Sequence, residues 1–249
     1  MTEPLLKVEG LVKRFGALVA TDSASFDVRG GEVHALIGPN GAGKTTLIHQ
    51  LSGALQPDAG CVLFAGQDLT CADMAAHVNA GLARSYQITS IFKKLSVLDN
   101  LRLALQARRA PSWVGSVQRD AALRDEAEHL LSQVGLIAQA RATAGALAHG
   151  EQRQLELALA LATRPRLLLL DEPMAGMGPD EGRQMVELLL TLKGKTTLLL
   201  VEHDMDAVFR LADRISTLVA GRVIATGTPD EIREHPEVRK AYLGDEVSS

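Results

Sequence analysis

The chain has 249 residues, 46% of them hydrophobic, and a formal net charge of −4 at pH 7. This composition predicts a globular protein built as one large domain or as one domain with a substantial insertion. No segment approaches the ~18 to 20 consecutive apolar residues of a membrane helix, and the N-terminal MTEPLLKVEG lacks the features of a signal peptide, so we expect a cytosolic protein. The negative charge and the 3% aromatic content argue against nucleic acid as the main partner.

The N-terminal part of the chain predicts strands. Apolar and polar residues alternate over residues 5–8 and 24–28, and Gly30-Gly31 marks a turn, which is typical of short antiparallel strands. Residues 32–37 (EVHALI) predict a buried strand, and residues 44–51 (KTTLIHQL) predict a helix.

Between this strand and this helix lies GPNGAGKTT, which has the spacing of a phosphate-binding loop. Its glycines let several backbone N–H groups point at one anion, and the helix adds its positive N-terminal end. Lys44 would reach the β and γ phosphates, and the Thr45 hydroxyl would hold Mg²⁺. The alternative is a glycine-rich turn that binds no ligand. The candidate nucleotide-binding residues are Gly38, Pro39, Asn40, Gly41, Ala42, Gly43, Lys44, Thr45 and Thr46.

The middle of the chain changes character and predicts a helical insertion. After a predicted strand at residues 61–65, helical spacing dominates from about residue 88 to residue 161. Leu123, Ala127, Leu130, Leu131 and Val134 recur at this spacing. The run LAHGE at residues 147–151 precedes a long helix, so the backbone near Gly150 is a second potential phosphate site. Taken alone, this run is more typical of an ordinary helix start.

The last third of the chain predicts a mostly parallel sheet. Strand signals return at residues 167–170, 197–201 and 215–219, with helical patterns such as 181–193 between them. Near the end, TPDE at residues 228–231 has a capping Thr, a Pro at the first helical position and a Glu that completes a capping box. We therefore expect a short helix to begin there.

Two acidic residues follow the strand at residues 167–170. In a parallel sheet, Asp171 and Glu172 would lie at the carboxyl edge, where the phosphate loop also lies. Asp171 would hold the hydration shell of Mg²⁺, and Glu172 would polarise the attacking water. An apolar run followed by Asp-Glu is by itself more often an ordinary strand end, but after a phosphate loop it indicates an active site.

Five motifs in order carry a family resemblance: GPNGAGKTT, Gln87 within ARSYQ, LAHGEQRQ, LLLLDEP and His203 within VEHDM. Over essentially its whole length the chain resembles the nucleotide-binding subunits of ATP-binding cassette (ABC) transporters. The implied fold is α/β: a P-loop NTPase, RecA-like core with a mostly parallel sheet, an N-terminal antiparallel β subdomain and an inserted α-helical subdomain. The implied single domain, residues 1–249, has its core at 1–86 and 164–249 and its helical signature subdomain at 87–163.

The resemblance also implies roles for individual residues. Two ATP molecules would lie between two subunits, each held by one subunit's phosphate loop and the other's signature segment, Ala148, His149, Gly150 and Glu151. Gln87 is implied as a ligand of Mg²⁺ and water, His203 as a contact of the γ-phosphate, and Phe15 as the ring on which adenine stacks. From the residues alone, Gln87 is more typical of a surface amide. The alternatives for the other two are a helix-starting histidine at His203 and, less favoured than stacking, a core aromatic at Phe15.

Further segments are similar to the ATP-binding subunits of uptake systems for branched-chain and hydrophobic amino acids. They are VEHDM, residues 81–101, the Ala-Gly pair after DEP and the ending GTPDEIREHPEVRKAYLG. This similarity implies an ATPase on the cytoplasmic face of the inner or plasma membrane. Its implied partners are transmembrane permease subunits, a second ABC ATPase and, indirectly, an external solute-binding protein.

The resulting functional prediction is ATP hydrolysis that powers an importer for branched-chain or other hydrophobic amino acids or related amides. The alternatives are a soluble ABC ATPase without a transporter and the ATPase of an export or lipid-extraction system. The apolar residues Ile88, Ile91, Phe92 and Leu95 would contact a permease or pack inside the helical subdomain.

The signature segment departs from the family pattern LSGGQ. Ala148 replaces the Ser whose hydroxyl would touch the γ-phosphate, and His149 replaces the first Gly. In the loop after DEP, Gly178 stands where Asp or Asn is common. These departures lead to the hypothesis that the working dimer is a heterodimer whose other subunit brings the more usual signature.

Overall fold

The computed structural model describes residues 3–85, 91–108 and 121–243. The chain forms two compact units. The core unit contains Met1–Arg84, Arg166–Glu172 and Leu192–Ser249, and the helical unit contains Ser85–Pro165 and Pro173–Thr191. Residues 173–191 therefore group with the helical unit, whereas the sequence-based division assigned them to the core.

An antiparallel sheet forms one part of the core unit. Its strands are β1 (Leu6–Phe15), β2 (Leu18–Val28), β4 (Ala59–Phe64) and β5 (Gln67–Asp68), in the order β2-β1-β4-β5. The alternation in the sequence faces Leu6 and Val8 into the core, and an irregularity in the register after Val8 lets Leu11 face the core as well. The predicted N-terminal strands are present, and both extend further than the alternating residues indicated.

The second sheet is mostly parallel, as predicted. Its strands are β3 (Val33–Ile37), β6 (Leu82–Arg84), β7 (Leu167–Asp171), β8 (Thr197–Val201), β9 (Arg214–Val219) and β10 (Arg222–Gly227). The order is β10-β9-β3-β8-β7-β6, and only β10 runs antiparallel to its neighbour. β3, β7 and β8 are buried along their whole length, which explains their continuous apolar sequences.

The helices follow in chain order as α1 (Lys44–Leu51), α2 (Met74–Ala80), α3 (Val97–Arg108), α4 (Ala121–Gln133), α5 (His149–Ala162), α6 (Pro179–Leu192), α7 (Met205–Leu211), α8 (Pro229–Glu234) and α9 (Pro236–Val238). Helix α1 has the predicted bounds. Helix α8 begins at the predicted capping box, where the Glu231 carboxylate accepts a hydrogen bond from the Thr228 amide at 2.7 Å. None of the helices within the described ranges is long and apolar enough to cross a bilayer.

The helical unit packs α3, α4 and α5 around an apolar core. Leu123, Ala127 and Leu131 of α4 are buried, as their spacing predicted. The segment before α3 is held by the buried Asn100, whose side chain accepts from the Phe92 amide at 2.8 Å and donates to the Ser96 carbonyl at 2.9 Å. The core unit contains both sheets, and the helical unit contains the start of α5.

Candidate active site

Three neighbouring parallel strands, in the order β3-β8-β7, end side by side at the carboxyl edge of the second sheet. β3 leads into the phosphate loop, β8 into Glu202 and His203, and β7 ends at Asp171. Val201 of β8 pairs with Leu36 on one side and with Asp171 on the other, so these strand ends are level. The predicted meeting of the loop with the acidic pair therefore follows from the strand order.

The phosphate loop requires glycine at two close approaches. A Cβ atom on Gly38 would lie 2.1 Å from the Leu218 carbonyl oxygen, and one on Gly43 would lie 2.1 Å from the Ala20 carbonyl oxygen. Gly43 also has φ = 101°, a left-handed conformation that other residues rarely adopt. Because Gly43 caps α1 without a side-chain acceptor, the first-turn N–H groups are left for a ligand.

The Lys44 ammonium is folded onto its own loop. It donates to the carbonyl oxygens of Gly38 at 2.6 Å and of Pro39 at 3.0 Å. Partial burial lowers the pKa of Lys44, while the nearby carboxylates of Glu172 and Asp171 act in the opposite direction. Thr45 is exposed in the same first turn.

The Asp171 carboxylate is buried at the end of β7 and has two different oxygens. Oδ2 accepts a hydrogen bond from Nη2 of Arg84 at 3.0 Å. Oδ1 is buried and has no hydrogen-bond partner among the described residues. A buried carboxylate oxygen without a donor suits a hydrated cation, so Asp171 fits the Mg²⁺-side role predicted for it.

Glu172 follows in a strained backbone conformation. Its φ of 49° is left-handed, which is uncommon for a residue other than glycine, and its amide still donates to the Val201 carbonyl at 2.9 Å. Such strain often occurs at functional sites, because the surrounding structure must enforce it. The β7–β8 ladder holds Glu172 half-exposed at the sheet edge, where a carboxylate can meet a water molecule.

His203 is exposed and follows the end of the neighbouring strand β8. Its side chain is 63% exposed, and its amide donates to the carboxylate of the buried Glu202 at 3.1 Å. Asp204 then caps α7 by accepting from the amides of Asp206 and Ala207. His203 is therefore held by its backbone, and its imidazole, whose Nδ1 lies 3.7 Å from Oε2 of Glu202, is exposed where a ligand can reach it.

Phe15 ends β1 and is 50% exposed, so its interpretation as a core aromatic was wrong. The Lys13 ammonium lies 5.9 Å from the centre of the ring. Lys13 is itself held by Asp58 at 2.8 Å. An exposed ring at a strand end suits stacking with a flat ligand.

The signature segment forms the start of α5 in the helical unit. Ala148 is the N-cap residue, and its amide donates to the Glu151 carboxylate at 2.9 Å. The methyl side chain of Ala148 has no oxygen to cap the first turn in return. Ala148 and His149 are exposed, whereas Gly150 is buried against Glu181, whose carboxylate also accepts from the Gly178 amide at 3.1 Å.

Comparisons with known proteins agree with this geometry. Residues 21–175 match the family described as "ABC transporter", and residues 222–248 match "Branched-chain amino acid ATP-binding cassette transporter". The chain belongs to the ABC transporter family. As a member of it, the protein binds nucleotide and hydrolyses ATP, as a dimerising cassette that works with membrane permease subunits.

Individual ABC proteins are similar along nearly the whole chain. The high-affinity branched-chain amino acid transport ATP-binding protein LivG of Salmonella typhimurium is 38% identical over 98% of this chain and all of its own length. BraF of Pseudomonas aeruginosa, which has the same description, is 37% identical with the same coverage. A crystal structure of an ATP-binding cassette of an ABC transporter in its ADP conformation is 31% identical, with a TM-score of 0.86, 98% of this chain covered and 100% of the other.

The structure describes only part of the segment that contains Gln87 and the apolar residues predicted to contact a permease or to pack inside the helical subdomain. Gln87 and Ile88 lie outside the described residues. Phe92 is exposed and Ile91 is buried, so only Phe92 of this pair suits contact with a permease. Leu95 is half-buried.

Arg84 and Glu202 were missed as site residues, although both are buried charged residues beside the sheet edge. The available signal was a charged residue at the end of each apolar run, in GLAR and in LLLVE.

Proposed function

We propose that this protein is the ATPase subunit of an importer for branched-chain or other hydrophobic amino acids or related amides. The main support is the match of residues 222–248, together with the similarity to LivG and BraF along nearly the full chain. The proposed location is the cytoplasmic face of the membrane. An external solute-binding protein is proposed as an indirect partner.

The residues at the sheet edge are proposed to have separate roles in the binding and hydrolysis of ATP. Lys44 exchanges its two carbonyl hydrogen bonds for phosphate oxygens, and the first-turn amides of α1 donate to the same phosphates. Glu172 orients and deprotonates the attacking water, and His203 contacts the γ-phosphate. Phe15 stacks on adenine, and the remaining loop residues 38–46 surround the phosphates.

Mg²⁺ is the proposed cofactor, and Thr45, Gln87 and Asp171 are the residues that would hold it, Asp171 through the hydration shell of the ion. Mg²⁺ usually keeps several water molecules and binds through one or two carboxylates together with substrate phosphates. Asp171 fits this pattern, because Oδ1 is buried without a hydrogen-bond donor among the described residues. The bound ion would neutralise charge that develops on the phosphates during hydrolysis.

The proposed dimer places the signature segment of a second subunit opposite each phosphate loop. Ala148, His149, Gly150 and Glu151 would face the partner's nucleotide through the backbone donors near Gly150. We favour a heterodimer because Ala148 supplies no hydroxyl. The sequence-based division into a core at 1–86 and 164–249 and a signature subdomain at 87–163 stays a proposal.

Uptake of labelled leucine, isoleucine and valine tests the proposed function. The chain is expressed with permease subunits, a second ABC ATPase and a solute-binding protein from the same organism, in a host that lacks its own branched-chain uptake systems. We expect uptake with the wild-type chain and none with Glu172→Gln. ATPase activity without uptake of any of these three solutes would contradict branched-chain amino acids as the transported substrates.

Sedimentation of the Glu172→Gln variant with ATP tests the dimer separately. We expect a monomer when this chain is alone and a dimer when the second ABC ATPase is added. A tight dimer of this chain alone would contradict an obligatory heterodimer.

A further inference from the structure

Arg84 joins two neighbouring strands at the carboxyl edge of the parallel sheet. It is the last residue of β6 and pairs with Leu169 of β7, two residues before Asp171. Residues two apart on a strand share a face, so the Arg84 side chain extends along β7 to Asp171. The Nη2–Oδ2 distance is 3.0 Å, and the two side chains are 6% and 1% exposed.

Because both side chains are buried, the ion pair stabilises the Asp171 carboxylate in one orientation. A carboxylate that is almost wholly buried is costly unless a charge or hydrogen-bond donors compensate it. Arg84 supplies that compensation to Oδ2, whereas Oδ1 has no hydrogen-bond partner among the described residues. The ion pair therefore engages Oδ2 with Arg84 and leaves Oδ1 without a protein donor among the described residues.

A second arginine–aspartate pair in the core unit shows a different arrangement. Arg214 begins β9 and donates to both oxygens of Asp27, at 2.9 and 3.1 Å. Because β9 is parallel to β3, its first residue lies at the edge opposite the phosphate loop. In this pair both carboxylate oxygens are engaged, which is the geometry of a structural ion pair.

We propose that Arg84 is a positioning residue that holds Asp171 so that Oδ1 is reserved for the hydration shell of Mg²⁺. This inference rests on the proposed Mg²⁺ site. Groups that orient a metal ligand from behind typically change metal affinity by about 10- to 100-fold when they are removed. Without Arg84, Asp171 would turn toward other donors or toward solvent, because an uncompensated buried charge is unfavourable.

The test measures how strongly Mg²⁺ tightens nucleotide binding. Binding of a non-hydrolysable ATP analogue is titrated by fluorescence in EDTA and over a range of Mg²⁺ concentrations, for wild type, Arg84→Met and Arg84→Lys. We expect Arg84→Met to raise the Mg²⁺ concentration for half-maximal tightening about 10- to 100-fold. Arg84→Lys keeps the positive charge and should fall between Arg84→Met and wild type. Binding in EDTA should not change, because it depends on Lys44 and the loop amides.

Three further variants separate positioning from general damage to the fold: Arg214→Met, Asp171→Asn, and Arg84→Met combined with Asp171→Asn. Arg214→Met removes a comparable arginine at the opposite edge, and it should lower stability while leaving the Mg²⁺ dependence at the wild-type value. Arg84→Met combined with Asp171→Asn should be no worse for Mg²⁺ than Asp171→Asn alone, because both changes act through one carboxylate.

The outcomes distinguish this inference from the proposed function. A wild-type Mg²⁺ dependence in folded Arg84→Met or Arg84→Lys would overturn the role of Arg84. If Arg84→Met does not fold, Arg84→Lys alone decides the question by the same measurement. A wild-type protein that binds no nucleotide, or binds it without any Mg²⁺ effect, would instead contradict the proposed ATP and Mg²⁺ site.

Discussion

The carboxyl edge of the parallel sheet and the start of α5 carry the two sets of residues that we assign to ATP phosphates. At the sheet edge, adjacent buried strands place Lys44, Asp171 and Glu172 by backbone pairing and by a buried ion pair. At the start of α5, Ala148 and His149 are exposed, and the Ala148 side chain cannot cap the helix. The sheet edge is therefore organised by the fold of one chain.

The helix start, by comparison, offers mainly backbone donors near Gly150. Helix N-termini bind anions through these groups without any particular side chain. This difference explains how the signature segment can lose a serine and still serve as a phosphate contact. It also predicts that substitutions at the sheet edge will affect the reaction more than substitutions at the helix start.

The largest effect is expected at Glu172. Glu172→Gln keeps the size of the side chain but cannot accept the proton of the attacking water, so ATP hydrolysis should slow about 100- to 10,000-fold. ATP binding should be retained. Phosphate release and nucleotide binding are measured on the same preparation, with the exposed Glu187→Gln of α6 as the matched control. An unchanged rate would remove Glu172 from the proposed mechanism.

A smaller effect is expected at the helix start. A Cβ atom at Gly150 would lie 2.9 Å from Oε1 of Glu181, so Gly150→Ala must shift that carboxylate and disturb the hydrogen bond that its Oε2 accepts from the Gly178 amide. We expect ATP hydrolysis with the partner ATPase to fall about 10-fold, equivalent to ~1.4 kcal/mol. Nucleotide binding by the chain alone should not change.

Gly182→Ala is the matched control for this comparison, since a Cβ atom at Gly182 has no heavy atom within 4 Å. It should keep the wild-type rate and stabilise α6 by ~0.5 to 1 kcal/mol, because glycine is a poor helix former. Equal rates for Gly150→Ala and wild type would contradict the tight packing at the start of α5.

The caps of α5 and α8 allow a comparison that is measured as stability in the absence of nucleotide. Ala148→Ser should add the missing cap oxygen at α5 and increase the free energy of unfolding by ~1 kcal/mol. Thr228→Ala removes such an oxygen from α8 and should decrease it by a similar amount. Urea unfolding checks both changes, and a loss of stability in Ala148→Ser would show that the exposed start of α5 has no room for a hydroxyl.

The smallest effect concerns pH, away from both regions. The hydrogen bond from Arg214 lowers the pKa of Asp27 below its usual value near ~3.9. The ion pair therefore contributes its full stability above that value and loses it as the pH falls through the lowered pKa. Asp27→Asn should reduce the dependence of unfolding free energy on pH below ~4, as measured by urea titrations at several pH values. The same slope in wild type and variant would contradict this assignment.

Sequence patterns predicted the elements that have strong local signals. The bounds of α1 and β8 agree with the predicted residues 44–51 and 197–201, and α8 begins at its capping box. These segments combine a clear hydrophobic pattern with a turn or cap at their ends, so neighbouring residues alone define them.

Other elements lacked such signals. β6 has only three residues and β10 is partly exposed, so neither has a distinctive period. The grouping of residues 173–191 with the helical unit depends on contacts made far along the chain. Arg84 was missed for the same reason, because its importance arises only when β6 lies beside β7.

The sequence by itself determined the phosphate loop, the acidic pair after β7 and the order of motifs that indicates an ABC cassette. These features depend on residue type and spacing, which are properties of the chain. Only the tertiary structure decided that Asp171 has one oxygen bonded to Arg84 and one without a partner among the described residues, and that Gly150 packs against Glu181. Such relations depend on strand order and helix packing, which bring together residues that no local pattern connects.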